Sequence, residues 1–264
     1  MNRKALFFDV DGTLLSEINH TVPDSTVSAL SEARKQGHLV FINSGRVFCH
    51  IGPIRKLVEA DGYLCGCGTH VIVEEEVLYA HRIAHDRGIQ IKKDIVRYGF
   101  DGILEGKESC YCRRETSWIP EIEHLRTLLA QDGHLSPFGW EEDCYEYDKF
   151  CIWGDENSDR AGLFQSLQPD VTIIDRGDGF YECVPTGHSK ATAIAMILEK
   201  YGMTRSDAYV FGDSMNDLTM FEYAENAVLM GNHSKELEPY ATFITKTVED
   251  DGIAYAMKRL GLIR

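Results

Sequence analysis

Lys4-Ala5-Leu6-Phe7-Phe8-Asp9-Val10-Asp11-Gly12-Thr13-Leu14 sets a short apolar run against an aspartate and a Gly-Thr pair. A continuous apolar run of this length is the pattern of a strand buried on both faces, and the polar break after Phe8 marks its C-terminal loop. Asp9 and Asp11 fall at alternate positions just past the strand end. Both carboxylates can therefore be displayed at the carboxyl edge of a parallel sheet, where open α/β folds hold their ligands. A polar turn competes as a reading of the same residues, since Asp and Gly are common turn residues.

The rhythm outward from this segment supports the sheet. Pro23-Asp24 opens a helical pattern that runs through Gln36 and closes at Gly37. A second apolar strand covers 38–43, a helical stretch covers 46–60 with a restart at Gly52-Pro53, and a third strand covers 63–65. Strands alternating with helices imply a parallel sheet covered on both faces. Residues 69–80 then read as a hairpin around Glu74-Glu75-Glu76, where a new unit begins. Across 81–183 the pattern is mixed, with helices near 86–97 and 120–131 and strands near 102–112, 147–153 and 171–175. Alternation returns from Ser189, with helices at 189–201, 215–223, 234–239 and 249–260 between strands at 208–211, 227–230 and 242–244. The simplest topology is an α/β fold, a doubly wound and mainly parallel Rossmann-like core from 1–80 and 184–264, interrupted by an inserted α+β cap domain at 81–183.

Composition bounds what such a protein does. With 264 residues, 44% apolar and 26% charged, the chain has the make-up of a globular protein. A formal net charge of -15 argues against nucleic acid as a partner, because that binding needs cations to replace the counterions on phosphates. The same field repels small phosphorylated molecules, so a site for one needs local cations or a metal ion. No apolar run approaches the ~20 residues of a membrane span, and Asp9 interrupts the start before a signal-peptide core could form. A cytoplasmic location and no membrane partner are the expectations.

Eight cysteines are scattered through the chain, too sparse for a disulfide-stapled scaffold. Cys49, Cys151 and Cys183 lie in apolar surroundings that suggest burial. Cys65-Gly66-Cys67 and Cys110-Tyr111-Cys112 invite a soft-metal reading, but their one-residue gap is not that of a zinc knuckle.

Three further segments repeat the logic of the first. Phe41-Ile42-Asn43-Ser44-Gly45-Arg46 ends an apolar strand on a hydroxyl and a glycine at the expected start of a helix, where backbone N–H groups bind anions; helix capping is the other role for Ser44. Gly187-His188-Ser189-Lys190 places a lysine in a first helical turn, against the helix dipole, which makes sense if an anion is shared between them. Tyr209-Val210-Phe211-Gly212-Asp213-Ser214-Met215-Asn216-Asp217 delivers Asp213 at a strand end, with Asn216 and Asp217 one turn on. Carboxylates gathered at one sheet edge repel each other unless a divalent cation joins them, and oxygen-only donors select a hard ion such as magnesium.

These four ordered segments resemble the motifs of the haloacid dehalogenase superfamily, and the late insertion resembles its Cof-type sugar-phosphatase branch with a type C2 cap. The likeness runs through the whole chain, including Met230-Gly231-Asn232 and Asp251-Gly252-Ile253-Ala254. It implies Asp9 as a nucleophile forming an aspartyl phosphate and Asp11 as general acid and base. It further implies Mg2+ held by Asp9, the Asp11 backbone carbonyl and Asp213, phosphate binding by Ser44, Gly45 and Lys190, and support from Asn216 and Asp217. Two positions depart from the pattern: Ala191 follows Lys190 where glycine is usual, and Cys67-Gly68-Thr69 stands where Asn-Gly-Ala is common.

The activity implied is Mg-dependent hydrolysis of a small phosphate monoester, a sugar phosphate or related metabolite, by a monomer or weak homo-oligomer. A hexose-phosphate phosphomutase is the nearest rival. A catalytically inactive sugar-phosphate-binding regulator is the rival of another class, although Asp9, Asp11 and Asp213 are all retained. Cap residues Arg113, Arg114, Trp118, Trp140, Phe180 and Tyr181 are candidates for selecting the leaving group.

Overall fold

Ala5–Phe8 forms the strand its apolar run implies, with all four residues buried. It lies inside an eight-stranded sheet in the computed structural model, which describes residues 3–264. From edge to edge the strands are Phe243–Ile244, Asn226–Leu229, Ala208–Gly212, Ala5–Phe8, Leu39–Asn43, Gly62–Cys65, His70–Val73 and Glu76–Ala80. The first six run parallel, and Gly62–Cys65 pairs antiparallel with His70–Val73.

Parallel neighbours need crossovers, and the helices Asp24–Lys35, Gly52–Leu57, Lys190–Tyr201 and Leu218–Tyr223 lie in those connections. Alternate side chains of the central strand then meet opposite layers. Phe7 stacks on Phe41 at 5.2 Å and Phe8 on Phe211 at 4.4 Å, and all four rings are buried. Burying a side chain of this size contributes about 1.5–3 kcal/mol, so the strand that carries Asp9 is firmly anchored. From Ala5–Phe8 the early strands build outward on one side and the late strands on the other. That reversal is the topological switch point at which open α/β sheets hold ligands.

The chain divides into two compact units. One takes the chain up to Arg46, Ile51–Tyr79 and His188–Arg264; the other takes Val47–His50 and Ala80–Gly187. The second unit has its own antiparallel sheet in the order Cys110–Tyr111, Asp101–Glu105, Lys149–Trp153, Phe180–Pro185, Val171–Gly177. The helices His85–Arg97 and Arg160–Leu167 bury Ile91, Ile95, Leu163 and Leu167 in a core with Phe150 and Tyr181, and Pro120–Gln131 buries Ile122 and Leu129 in another with Ile103 and Trp153.

The structure differs from the sequence pattern at several points. The 69–80 hairpin extends the large sheet and does not begin a new unit. Its turn is Glu74-Glu75, both at positive φ (52° and 67°), the conformation of a two-residue turn more often built from Asn-Gly. Arg160–Leu167 and Phe180–Pro185 have no counterpart in the pattern. The helix offers only two buried apolar residues one turn apart and starts from a polar stretch, capped by Asp159 accepting from the Gly162 N–H at 2.9 Å. Residues 235–240 form a 3-10 turn, with Pro239 inside it, where an α-helix is expected. No helix starts at Ser44: the next turn is 3-10, Phe48–Ile51, and the α-helix begins only at Gly52 with Pro53 in its first turn. Among the described residues, no helix is long and apolar enough to cross a membrane.

Candidate active site

The end of Ala5–Phe8 delivers Asp9, whose N–H donates to the Phe211 carbonyl at 3.0 Å, so the backbone stays in register with its neighbour as the strand finishes. The chain then folds back on itself. The Leu14 N–H donates to the Val10 carbonyl and the Gly12 N–H to that of Leu15. Gly12 sits at φ +74°, and a Cβ there would come within 2.5 Å of an Asp213 carboxylate oxygen. Only glycine lets the first motif approach the fourth this closely. Thr13 completes the contact, its hydroxyl donating to Asp213 at 2.9 Å.

Lys190 is the first residue of its helix, positioned by a capping box in which Ser189 accepts from the Thr192 N–H and Thr192 accepts from that of Ser189. Asn43 holds the lysine's backbone, donating from Nδ2 to its carbonyl at 3.2 Å. The fully buried ammonium lies 2.6 Å from Asp9 and 2.6 Å from Asp217, and donates to Asn216 Oδ1 at 3.2 Å. Burial alone would lower the lysine's pKa; the carboxylates of Asp217 and Asp9 outweigh it and hold the group above its usual value.

Asp217 organises the fourth segment. Its Oδ2 accepts from the N–H groups of Asp213 and Ser214 at 2.8 and 3.0 Å, while Oδ1 takes the lysine. Ser214 caps the 3-10 turn Met215–Asp217, so the capping role and the charged role of this segment coexist. Carboxylate oxygens of Asp9, Asp213 and Asp217 lie within 4.8 Å of one another, all buried. Desolvation pushes Asp213 up to about 9, helped by the charges of Asp217 and Asp9. Desolvation likewise raises Asp9 to about 7, although Lys190 opposes it. Such a cluster is costly to ionise without a cation, and its all-oxygen donor set suits a hard one.

Asp11 stands apart from the three. Its side chain is half exposed and gripped by the Arg46 guanidinium, Nε to Oδ2 at 2.8 Å and Nη2 to Oδ1 at 2.6 Å. This two-pronged pairing brings a second local cation to the edge and was not legible in sequence, because an arginine after a glycine turn has no fixed partner. Ser44 is buried but caps no helix; its hydroxyl accepts from the Arg46 N–H at 3.1 Å and so braces that arginine's backbone. Gly45 lies in the bend between them. Cys67, at positive φ, is buried close to Lys190. Asp9, Asp213, Lys190, Asn216 and Asp217 are thus one connected group, joined to Asp11 through the short backbone turn.

The cap candidates fare differently. Trp140 and Tyr181 are core residues of the second unit. Phe180 stacks on Trp153 at 4.4 Å. Arg113 pairs with Glu115 and Arg114 with Glu142, while Trp118 is exposed. What the sequence pattern missed is a buried ion network: Lys149 lies 2.7 Å from both Glu105 and Glu182, with Arg176 on Glu182 at 3.2 Å. Lys149, Cys151 and Trp153 alternate along one strand, so a charge in line with two apolar residues was the available signal.

Comparison with known proteins identifies the family. A family profile described as haloacid dehalogenase-like hydrolase matches residues 6–257. The Bacillus subtilis (strain 168) protein YkrA is 31% identical over the full length of both chains. An HMP-PP phosphatase from Enterobacter sp. (strain 638) is 27% identical, over 87% of this chain and 85% of its own. Among solved structures, a phosphatase of the haloalkanoate superfamily from Bacteroides thetaiotaomicron superposes with a TM-score of 0.84 at 27% identity, covering 99% of this chain and 96% of its own. A sugar phosphatase of subclass IIB superposes at 0.80 and 26%, covering 98% and 100%. With its motifs in order, its switch-point cluster and a profile match over nearly all its length, the chain belongs to the haloacid dehalogenase-like hydrolases, as a phosphatase of their Cof-type branch.

Proposed function

We propose that this phosphatase hydrolyses the phosphate monoester of a small metabolite, a sugar phosphate or a compound like it, through an aspartyl phosphate on Asp9 with Mg2+ as cofactor. The observation that carries this reading is the Lys190 ammonium, buried between Asp9 and Asp217 beside the three-carboxylate cluster. The lysine favours the ionised form of Asp9, the form that attacks phosphorus, against the burial that would neutralise it. It also offers a fixed positive charge to phosphoryl oxygens that the protein's net charge of -15 would otherwise repel.

The cluster fits the cation on donor chemistry: oxygen ligands only, buried, and crowded enough to resist ionisation without one. Asp9 and Asp213 would hold it through their carboxylates and Asp11 through its backbone carbonyl. When bound, the ion neutralises charge between an anionic nucleophile and an anionic ester. Asp217 fixes the 213–217 turn and aims Lys190. Asp11, half exposed and on the turn directly after the nucleophile, serves as the acid that protonates the departing oxygen and the base that activates water. Arg46 orients it and must release at least one of its oxygens during that exchange.

The test is phosphate release from a generic aryl phosphate and from a panel of phosphorylated sugars and cofactor precursors, with and without Mg2+. Turnover that requires Mg2+ and disappears in Asp9→Asn is the expected result. Equal phosphate release by wild type and Asp9→Asn would remove Asp9 as the nucleophile.

A further inference from the structure

The neighbours Cys49 and His50 meet Cys110 in the second unit, distant from it in the chain but close in space. The Cys110 sulfur lies 3.1 Å from His50 Nε2, and one ligand atom from each of the three residues falls within 4.8 Å of the others. Cys49 and His50 are consecutive in the 3-10 turn Phe48–Ile51, and Cys110 begins the edge strand Cys110–Tyr111. Main-chain bonds set the approach: the Cys49 N–H donates to the Lys107 carbonyl at 3.1 Å, and the Cys110 N–H to that of His134 at 2.8 Å. A second imidazole, that of His134, stands 6.0 Å from the His50 ring, centroid to centroid.

We propose that Cys49, His50 and Cys110 form a three-ligand site for a thiophilic divalent cation, zinc(II) by its donor chemistry. Two sulfurs and an imidazole are the soft and borderline ligands that zinc prefers and magnesium does not. Separations under 4.8 Å suit ligands that share one ion at bond lengths of about 2.0–2.3 Å. Binding releases both thiol protons to solvent, so the two thiolates balance the dication and the site becomes neutral. Cys110 is fully buried while Cys49 and His50 are half-buried, which leaves a path of entry and a fourth position for water or a rotated His134. The donors differ in kind from the all-oxygen cluster of Asp9, Asp213 and Asp217, so the two sites take different metals. A bound ion would clip the 47–50 turn to the edge of the second unit's sheet. Nothing in the phosphatase chemistry above depends on this site.

The test uses full-length protein, reduced and stripped of metal, with excess Mg2+ to fill the oxygen cluster, titrated with cobalt(II) as a spectroscopic stand-in. A thiolate-to-cobalt charge-transfer band that saturates at one ion per chain and is bleached by zinc(II) is expected. The band should vanish in Cys49→Ser and Cys110→Ser and persist in Cys144→Ser, which alters an exposed thiol elsewhere. His50→Gln should weaken zinc binding by at least about tenfold, on the scale of losing a group that shapes a metal site. Because Cys110 is buried, Cys49→Ser and His50→Gln decide the outcome if its variant fails to fold. No thiolate band in the wild type, a band that survives Cys49→Ser, or formation of only a Cys49–Cys110 disulfide would each overturn the proposal.

Discussion

Lys190 Nζ lies 2.6 Å from the Asp9 carboxylate and 2.6 Å from that of Asp217, with no solvent exposure of its own. One ammonium therefore pairs with the proposed nucleophile and with the residue that shapes the neighbouring turn. Because a buried charge stripped of its partner is left in a medium that solvates it poorly, Lys190→Met should cost about 3–5 kcal/mol of stability. Phosphatase turnover should fall by at least about a hundredfold, the scale of losing one preorganised charge at a reaction centre. Denaturant unfolding and steady-state kinetics of the same sample check both. A variant that is inactive at full stability would show that the ion pair is not part of what holds the fold.

Asp213 gives the pH dependence its sign. Its folded carboxyl is raised to about 9 and that of Asp9 to about 7, from 3.8 in the absence of burial. Metal-free folded protein then keeps protons that the unfolded chain has released. The stability these groups contribute is complete below 3.8 and is lost as pH rises through about 7 and then about 9. The melting temperature of EDTA-treated protein should fall as pH rises through about 7 and on to about 9, where the two carboxyls ionise, and Mg2+ should raise it most at the alkaline end. Asp213→Asn should abolish the Mg2+ response. A melting temperature that rises with pH in EDTA contradicts the assignment.

Gly12 and Gly37 make a controlled pair. Both adopt positive φ, +74° and +91°, but a Cβ at Gly12 meets Asp213 at 2.5 Å whereas one at Gly37 meets nothing within 4 Å. Gly37→Ala should cost only the left-handed strain, about 1–2 kcal/mol, and leave kcat unchanged. Gly12→Ala should cost more and reduce kcat/KM by at least about tenfold, because a shift of the cluster by a fraction of an ångström suffices. Equal losses in the two variants would mean that the close approach is irrelevant to turnover.

Asp148 offers a titration away from the Asp9, Asp213 and Asp217 cluster. Burial raises its carboxyl to about 6, with Arg82 opposing. Its charged form is a cost to the folded state above that value, and stability from the protonated form is lost as pH rises through about 6. Asp148→Asn should therefore stabilise the protein at about pH 8 by up to about 3 kcal/mol, given roughly 1.4 kcal/mol per pKa unit, and by about a third of that near about pH 4.5, where the unfolded carboxyl is already mostly ionised. Unfolding curves at the two pH values decide it.

Much of the α/β frame was legible because it depends on local pattern. The runs at 5–8, 39–42 and 208–211 are apolar without interruption, which a strand covered on both faces requires. Arg160–Leu167 was hidden because two leucines one turn apart are too few to set a period, and its start rests on a single Asp159 side chain. Ser44 illustrates the opposite error: a hydroxyl and a glycine after a strand suggest a helix start, yet Gly52-Pro53 supplies that start eight residues later.

By itself the sequence determined which residues end strands at the sheet's carboxyl edge, since strand period and turn chemistry act between neighbours in the chain. It thereby marked Asp9, Asp11, Ser44 and Asp213 as a candidate set, with Lys190 added as the first residue of a helix. Only the tertiary structure decided who touches whom: Lys190 between Asp9 and Asp217, Arg46 on Asp11, Gly12 beneath Asp213, and Cys49 and His50 against Cys110. Those relationships join segments up to 200 residues apart. They depend on how strands cross over and where the packed core leaves room, and such long-range geometry leaves no trace in local periodicity.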